Sequence, residues 1–256
     1  MLVASNLPTP GRIRHGFFTR RGGVSEAPFE GLNCGYGSDD DRDAVSENRR
    51  LALARLGAAD MPLVTAYQVH SADAVFVDSP WSPDKAPKVD ALVTSRPGLV
   101  LGILTADCAP VLFVDAHAGV IGAAHAGWRG AHAGVLEKCV EAMVTAGASA
   151  GNICAAVGPC IGQPSYEVGP EFRARFVEDD PNSDKYFMPS PKTGHALFDL
   201  GAYVMARLGT LGLASSEFLG QDTCADSDRF YSYRRGTLAG QPDYGRLLSA
   251  IVIVED

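Results

Sequence analysis

The sequence predicts an α/β or α+β fold, a mixed β-sheet core covered by helices in one layered domain spanning residues 1–256. Three observations carry this. Apolar, β-rich runs are bounded by Gly, Pro or Asp, helical segments interleave with them, and the alternation lacks the strict regularity of a βαβ series. At 256 residues the chain is long enough to bury a sizeable core, and no linker, repeat or low-complexity tract divides it.

The first helix is expected over Asp43–Leu56, where good helix formers follow capping residues and Gly57 ends the run. Core strands are expected in Leu63–Val69 running into Ala74–Val77, in Leu99–Thr105 running into Val111–Val114, and in Val120–Ala124. The proline-rich stretch Asp78–Val89 reads as a surface loop. Over Gly130–Ala146, Val135, Leu136, Cys139, Val140, Met143 and Val144 fall on one helical face. A strand at Ile153–Val157, short helices near Glu171–Val177 and Leu200–Leu211, and strands near Phe230–Tyr233 and Leu247–Val254 complete the prediction.

Formal charge is −8, from 22 basic and 30 acidic residues, and no Lys/Arg run stands out. This excludes the electrostatic footprint of a nucleic-acid binder and leaves small molecules as the expected partners. The N-terminal stretch has no basic segment followed by an apolar one, and no later stretch has the length of a membrane span. Six scattered cysteines do not resemble the disulfide framework of a short secreted chain. The expectation is a cytoplasmic protein, a monomer or small homo-oligomer, with free thiols.

Three segments place metal-ligand residue types where β-runs end or turn: Gln68-Val69-His70-Ser71, Thr105-Ala106-Asp107-Cys108, and Ala124-His125-Ala126-Gly127-Trp128-Arg129-Gly130. A His/Cys/His set suits zinc and leaves a fourth position open, as catalytic sites require. The spacing matches no short metal motif, so on spacing alone Cys108 is equally a small buried hydrophobe and the histidines ordinary core or surface residues.

The segments FFTRRGGVS (17–25), GLNCG (31–35), SENRR (46–50), QVHSADAVFVD (68–78), VDALVT (89–94), TADCAPVLFVD (105–115), AAHAGWRG (123–130), GPCIGQPSYEVG (158–169) and SYRR (232–235) weight this differently. In that order they resemble the signature blocks of the purine nucleoside phosphorylase and adenosine deaminase family once labelled multicopper polyphenol oxidoreductases or laccases, some of whose bacterial members resemble peptidoglycan editing factors. The resemblance implies zinc held by His70, Cys108 and His125. It also implies phosphorolysis of adenosine, inosine, guanosine or methylthioadenosine, and hydrolytic deamination of adenosine. The chain departs from the pattern at Ser165, where many members carry Cys, and after Tyr233-Arg234-Arg235, where an acidic residue is often seen.

Residue types then suggest roles. Cys108, His125 and Asp107 are the catalytic candidates. Asp107 orients a ligand or accepts a proton beside Cys108, or else caps its turn. Arg129, in a Gly-rich turn ahead of the expected helix, is the phosphate candidate, with a surface salt bridge as its alternative and Arg20 and Arg21 as a second anion site. Gln68 and Asn33 are base or sugar contacts, or else structural hydrogen-bonders. Trp128 either stacks on a base or is buried between strand and helix.

Six histidines, with no His-x-His pair, are too few for a four-copper oxidase in one chain, although the same donors could take copper in vitro. A cysteine hydrolase acting on peptidoglycan precursors, with Cys108 as nucleophile and His125 as base, uses the same residues without metal. A non-catalytic, metal-stabilised scaffold of cell-wall or division machinery is the reading outside enzymology.

Overall fold

The structure, a computed structural model, describes residues 1–7 and 12–254. The predicted span 1–256 and the N-terminal stretch therefore extend in part outside the described residues. In chain order the first elements are β1 (Ile13–Phe17), α1 (Arg42–Leu56), β2 (Leu63–Thr65), β3 (Ala74–Phe76), β4 (Ala91–Thr94), β5 (Val100–Thr105), β6 (Ala109–Asp115) and β7 (Val120–Ala126). There follow α2 (Trp128–Ala133), α3 (Val135–Thr145), β8 (Cys154–Val157), β9 (Glu167–Val168) and α4 (Pro170–Asp179). The chain continues through β10 (Phe187–Pro189), β11 (Ala196–Phe198), α5 (Leu200–Gly209), β12 (Ser215–Phe218), α6 (Tyr233–Leu238) and β13 (Leu247–Ile253).

The predicted mixed α/β class is the one observed, but two large sheets replace the single sheet expected. One has the order β1-β13-β5-β2 and the other β12-β8-β6-β7-β4-β3; a small sheet β10-β11-β9 stands apart. Alternation along the central strands explains the stacking. Leu101, Ile103, Ile251 and Ile253 of the first sheet meet Leu112, Val114, Ile121 and Ala123 of the second in one buried cluster. Their neighbours point the other way: Val100, Leu248, Ala250 and Val252 pack under Leu53 and Leu56 of α1. On the far side, Val111, Phe113 and Ala124 pack under Leu136, Cys139 and Met143 of α3 and Val204 and Leu208 of α5. Each leucine, isoleucine, valine, phenylalanine or methionine among these contributes about 1.5–3 kcal/mol through removal from water.

Helix α1 matches its expectation. The Asp41 carboxylate accepts from the backbone N–H groups of Asp43 and Ala44, and Gly57 closes the helix in the left-handed region at φ 75°. The helix expected over Gly130–Ala146 is broken: α2 and α3 meet at Gly134, whose φ of 100° no continuous helix accepts. Phe230–Tyr233 forms no strand, because Ser232 Oγ caps the backbone N–H of Arg235 and Tyr233 opens α6. Strands β1, β4 and β12 and the small sheet were not expected.

The runs Leu63–Val77 and Leu99–Val114 both change sheet midway. Strand β2 lies in the first sheet and β3 in the second, and likewise β5 and β6. The two crossing points contain His70, at φ 61°, and Asp107, at φ 84°. Left-handed backbone at a non-glycine residue marks a turn held by its surroundings.

Candidate metal and substrate site

His70, Cys108 and His125 come together, their donor atoms all within 4.8 Å of one another. His70 arrives on the first crossing, Cys108 on the second directly after Asp107, and His125 from the end of β7. Cys108 Sγ lies 3.8 Å from His70 Nε2. A tetrahedral zinc with one thiolate and one imidazole would set these atoms about 3.6 Å apart, so the donors fit that ion in type and in spacing.

Asp90 holds the arrangement together. Fully buried ahead of β4, its carboxylate accepts the backbone N–H groups of Val69, His70 and Ser71 and the Ser71 hydroxyl, at 2.6–3.1 Å. Oδ1 also takes Nδ1 of His125 at 2.8 Å, and the Asp90 carbonyl accepts the His125 N–H. One carboxylate thus fixes the left-handed turn at His70 and the tautomer and direction of His125, whose Nε2 is left for the cluster. Burial alone would raise the Asp90 pKa; the bond to and charge of His125, with the donors of Ser71, instead bring it down to about 2. Burial would likewise raise the Cys108 thiol, but the charge and hydrogen bond of His125, then those of His70, lower it to about 6. His125, which burial would lower, is raised to about 9 by Cys108 and Asp90. The metal-free site therefore favours a thiolate–imidazolium pair, and a dication binding there displaces the imidazolium proton.

Gly127 makes the cluster possible. A Cβ on it would sit 2.8 Å from Cys108 Sγ and 2.8 Å from His70 Cδ2. The position demands glycine by close approach, since its φ of −66° is open to any residue.

The cluster opens on a cavity of about 710 Å³, whose wall includes Trp128, Arg129, Tyr166, Phe172, Arg175 and Arg234. Trp128 and Phe172 pack with ring centroids 4.7 Å apart. The guanidinium carbons of Arg129 and Arg175 lie 4.5 and 5.2 Å from the Trp128 ring centroid, and that of Arg234 lies 5.3 Å from the Tyr166 centroid. A planar apolar group and an anion both find partners on this wall.

The other expected residues divide. Arg129 reaches the cavity, although as the second residue of α2 rather than ahead of a helix at Gly130. Trp128 is half-buried and also faces it. Asp107 touches the cavity, but its carboxylate is committed: Thr223 and Ser232 hydroxyls and the Arg234 backbone N–H donate to it at 2.7–2.9 Å. Among the described hydrogen bonds the carboxylate accepts nothing from its own turn; it braces the C-terminal segment. Asn33 and Gln68, read as substrate contacts, are not on the cavity wall. Asn33 is fully buried, its amide donating to Ser38 and Asp40 and accepting from the N–H groups of Gly35 and Arg246. Gln68 pairs with both the carbonyl and the N–H of Leu104 at the end of β5. Arg20 and Arg21 line a different cavity and donate to the carbonyls of Glu30, Ser227 and Asp228. Of the two departures, Ser165 Oγ donates to Asp222, and the position after Arg235 is the buried Gly236 within α6.

Among the described residues, this is the only group of three or more His, Cys, Asp or Glu side chains with metal-binding spacing. His15 bonds the Ala4 N–H, His132 the Asp179 carboxylate, and His195 the Thr193 carbonyl. No described helix is long and apolar enough to cross a membrane.

The family model for the multi-copper polyphenol oxidoreductase laccases matches residues 14–254. The chain belongs to that family. The motif resemblance is thereby confirmed over nearly the whole sequence. Among its relatives, a purine nucleoside phosphorylase of Pseudomonas aeruginosa is 40% identical over 234 residues, covering 91% of this chain and 93% of its own. The purine nucleoside phosphorylase YfiH of Escherichia coli is 34% identical over 242 residues, covering 94% and 96%. A crystal structure from Neisseria meningitidis, protein NMB0706, superposes with a TM-score of 0.85 at 30% identity, covering 98% of each chain. Despite the family's copper-oxidase description, the cluster supplies one three-donor site.

Asp90, Tyr166, Phe172, Arg175 and Arg234 were missed as site residues. Asp90, Tyr166 and Arg234 lie inside the matched motifs, which was the available signal; Phe172 and Arg175 sit on α4 outside every motif and carried none.

Proposed function

We propose that this cavity is the active site of a zinc-dependent purine nucleoside phosphorylase that also deaminates adenosine, with His70, Cys108 and His125 as metal ligands. The observation that carries the reading is the three-donor cluster opening on a wall of aromatic rings and guanidinium groups. The names of the relatives support it. Zinc held by these three residues would supply Lewis acidity to the cavity.

The protein's own residues account for the rest. Asp90 keeps His125 oriented, so that Nε2 and the Cys108 thiolate meet without reorganisation. Trp128 and Phe172 offer apolar faces of the size of a purine. Arg129 offers a planar, permanently charged fork for phosphate. In phosphorolysis a phosphate oxygen bonds to the ribose C1′, the C1′–N bond breaks, and its electron pair leaves with the base. The base gains the proton that hydrogen phosphate loses, giving ribose 1-phosphate and free purine. The substrates are small molecules, and the chain acts as one domain.

A second reading has a specific observation behind it. Cys108, His125 and Asp90 form a thiol–imidazole–carboxylate series, with the thiol pKa lowered, as a nucleophilic cysteine requires. Metal content separates the two. The test is elemental analysis of protein purified without chelator, followed by incubation with adenosine with and without phosphate and separation of adenine, inosine and hypoxanthine. About one zinc per chain and phosphate-dependent adenine support the proposal; metal-free protein with full activity refutes it.

A further inference from the structure

Two adjacent arginines on α6 behave differently. Arg235 donates its guanidinium to the backbone carbonyls of Thr223, Cys224 and Phe230, so it is consumed in holding the C-terminal segment. Arg234 has no hydrogen bond or ion pair to its guanidinium among the described contacts; it lies over the Tyr166 ring and faces the cavity. Its backbone is nevertheless anchored. The N–H donates to the Asp107 carboxylate at 2.7 Å, and Ser232, which caps the helix, donates to the same carboxylate. Asp107 in turn directly precedes Cys108.

Tyr166 is the companion group. Its ring is wedged against Phe172 and Phe198, at 6.0 and 5.8 Å, and its hydroxyl has no protein partner among the described hydrogen bonds. Cys108, Arg234, Asp107 and Arg129 all lie close enough to act on the phenol electrostatically; burial raises its pKa, which keeps it a proton donor across the working range. A hydroxyl donor and two guanidiniums with no ion pair among the described contacts, next to the cluster, make the donor set that a tetrahedral oxyanion needs, and Glu167 on the same wall is a carboxylate that Arg234 acts on through charge alone.

We propose that Arg234 and Tyr166, together with Arg129, form the cradle that binds inorganic phosphate, with Asp107 as the strut that sets Arg234 at a fixed distance from Cys108. This rests on the phosphorolytic reading and deepens it by naming where the nucleophile sits. Arg129, exposed at the cavity mouth, supplies charge, while Arg234, half-buried and anchored through its backbone, supplies position. The occupied anion is the free nucleophile rather than the phosphate ester of a nucleotide.

The test measures phosphate binding directly, by calorimetry with the zinc-loaded protein and no nucleoside, and then steady-state cleavage of adenosine across a phosphate titration. Arg234→Gln leaves the backbone N–H to Asp107 in place and should fold; it is expected to weaken phosphate binding about ten- to a hundredfold, as the loss of a charge-assisted contact does. The KM for phosphate should rise in step while that for adenosine changes little. Arg234→Lys should recover part of the loss, and Tyr166→Phe should weaken binding by a smaller factor. Arg173→Ala, which removes an exposed charge bonded to Asp184 away from this cavity, should change neither constant.

Wild-type phosphate affinity preserved in Arg234→Gln and Tyr166→Phe overturns the cradle while leaving the phosphorolytic reading standing, and an absence of phosphate binding to the wild type overturns it as well. If phosphate binds in an Arg234-dependent way but adenosine is not cleaved with phosphate, the cradle stands and the phosphorolytic reading falls. AMP cleaved in preference to adenosine, with Arg234→Gln affecting AMP alone, assigns the site to a substrate ester and overturns the proposal.

Discussion

Gly127→Ala is the smallest change that tests the geometry of the cluster. Its new methyl carbon would stand 2.8 Å from both Cys108 Sγ and His70 Cδ2. Carbon atoms in ordinary contact are about 3.5–4.0 Å apart, so these side chains or the start of α2 must yield by about 0.7–1.2 Å. Overpacking of that kind costs about 1–3 kcal/mol. It also exceeds the tolerance of roughly 0.5 Å within which a ligand constellation has to be held. We therefore expect zinc affinity to fall at least tenfold, roughly the lower bound for disturbing the residues that orient metal ligands. The assay is zinc competition against a chromogenic chelator, paired with thermal unfolding of the metal-free protein. Gly151→Ala, where a Cβ meets nothing within 4 Å, is the control. Zinc affinity and melting temperature both unchanged in Gly127→Ala would show that the three side chains do not meet as described.

Further outcomes follow from the same contacts. Cys108→Ala and His125→Ala should lose zinc and activity yet remain folded, measured by elemental analysis and circular dichroism. Zinc affinity should rise about tenfold per pH unit between about pH 6 and 9, because there the thiol is already ionised while His125 must give up its proton to bind; chelator competition at several pH values checks the slope. Asp90, lowered from 3.8 to about 2, gives metal-free protein roughly 2 kcal/mol of stability that is present above its unfolded pKa and lost as pH falls through about 2. Urea unfolding of the wild type and Asp90→Asn at pH 7 and pH 3 should show their difference narrowing in acid. Gln68→Ala should destabilise by about 1–3 kcal/mol, leaving the Leu104 backbone groups unpaired, without altering the KM for adenosine. Arg129→Ala should impair phosphorolysis roughly ten- to a hundredfold and spare deamination, read as adenine against inosine.

Much of this was legible in local sequence. Caps and a terminal glycine announce α1, and apolar runs announce β5, β6, β7 and β13, because those signals act within a few residues. The trio was reachable only through motif resemblance, since its donors meet across turns that no spacing rule describes. The two readings of Asn33 and Gln68 could not be separated in sequence, because an amide that completes a backbone pairing and one that greets a substrate are the same residue type. The division into two sheets was invisible for a related reason. Leu63–Val69 into Ala74–Val77 and Leu99–Thr105 into Val111–Val114 each read as one β-rich run, and the left-handed residues His70 and Asp107 mark where each leaves one sheet for the other. Asp90 was legible only as one letter of the VDALVT motif; its importance lies in acceptor contacts to residues twenty and thirty-five positions away.

Those two crossing turns have a consequence for how the site comes into being. His70 and Cys108 ride on connections that exist only once β2 and β5 have joined one sheet and β3 and β6 the other, while His125 belongs wholly to the second. Neither sheet alone can present the three donors. Their convergence is a gauge of whether the two sheets have docked in the right alignment, so a sliding error of one sheet over the other, too small to unfold the protein, would silence the site first.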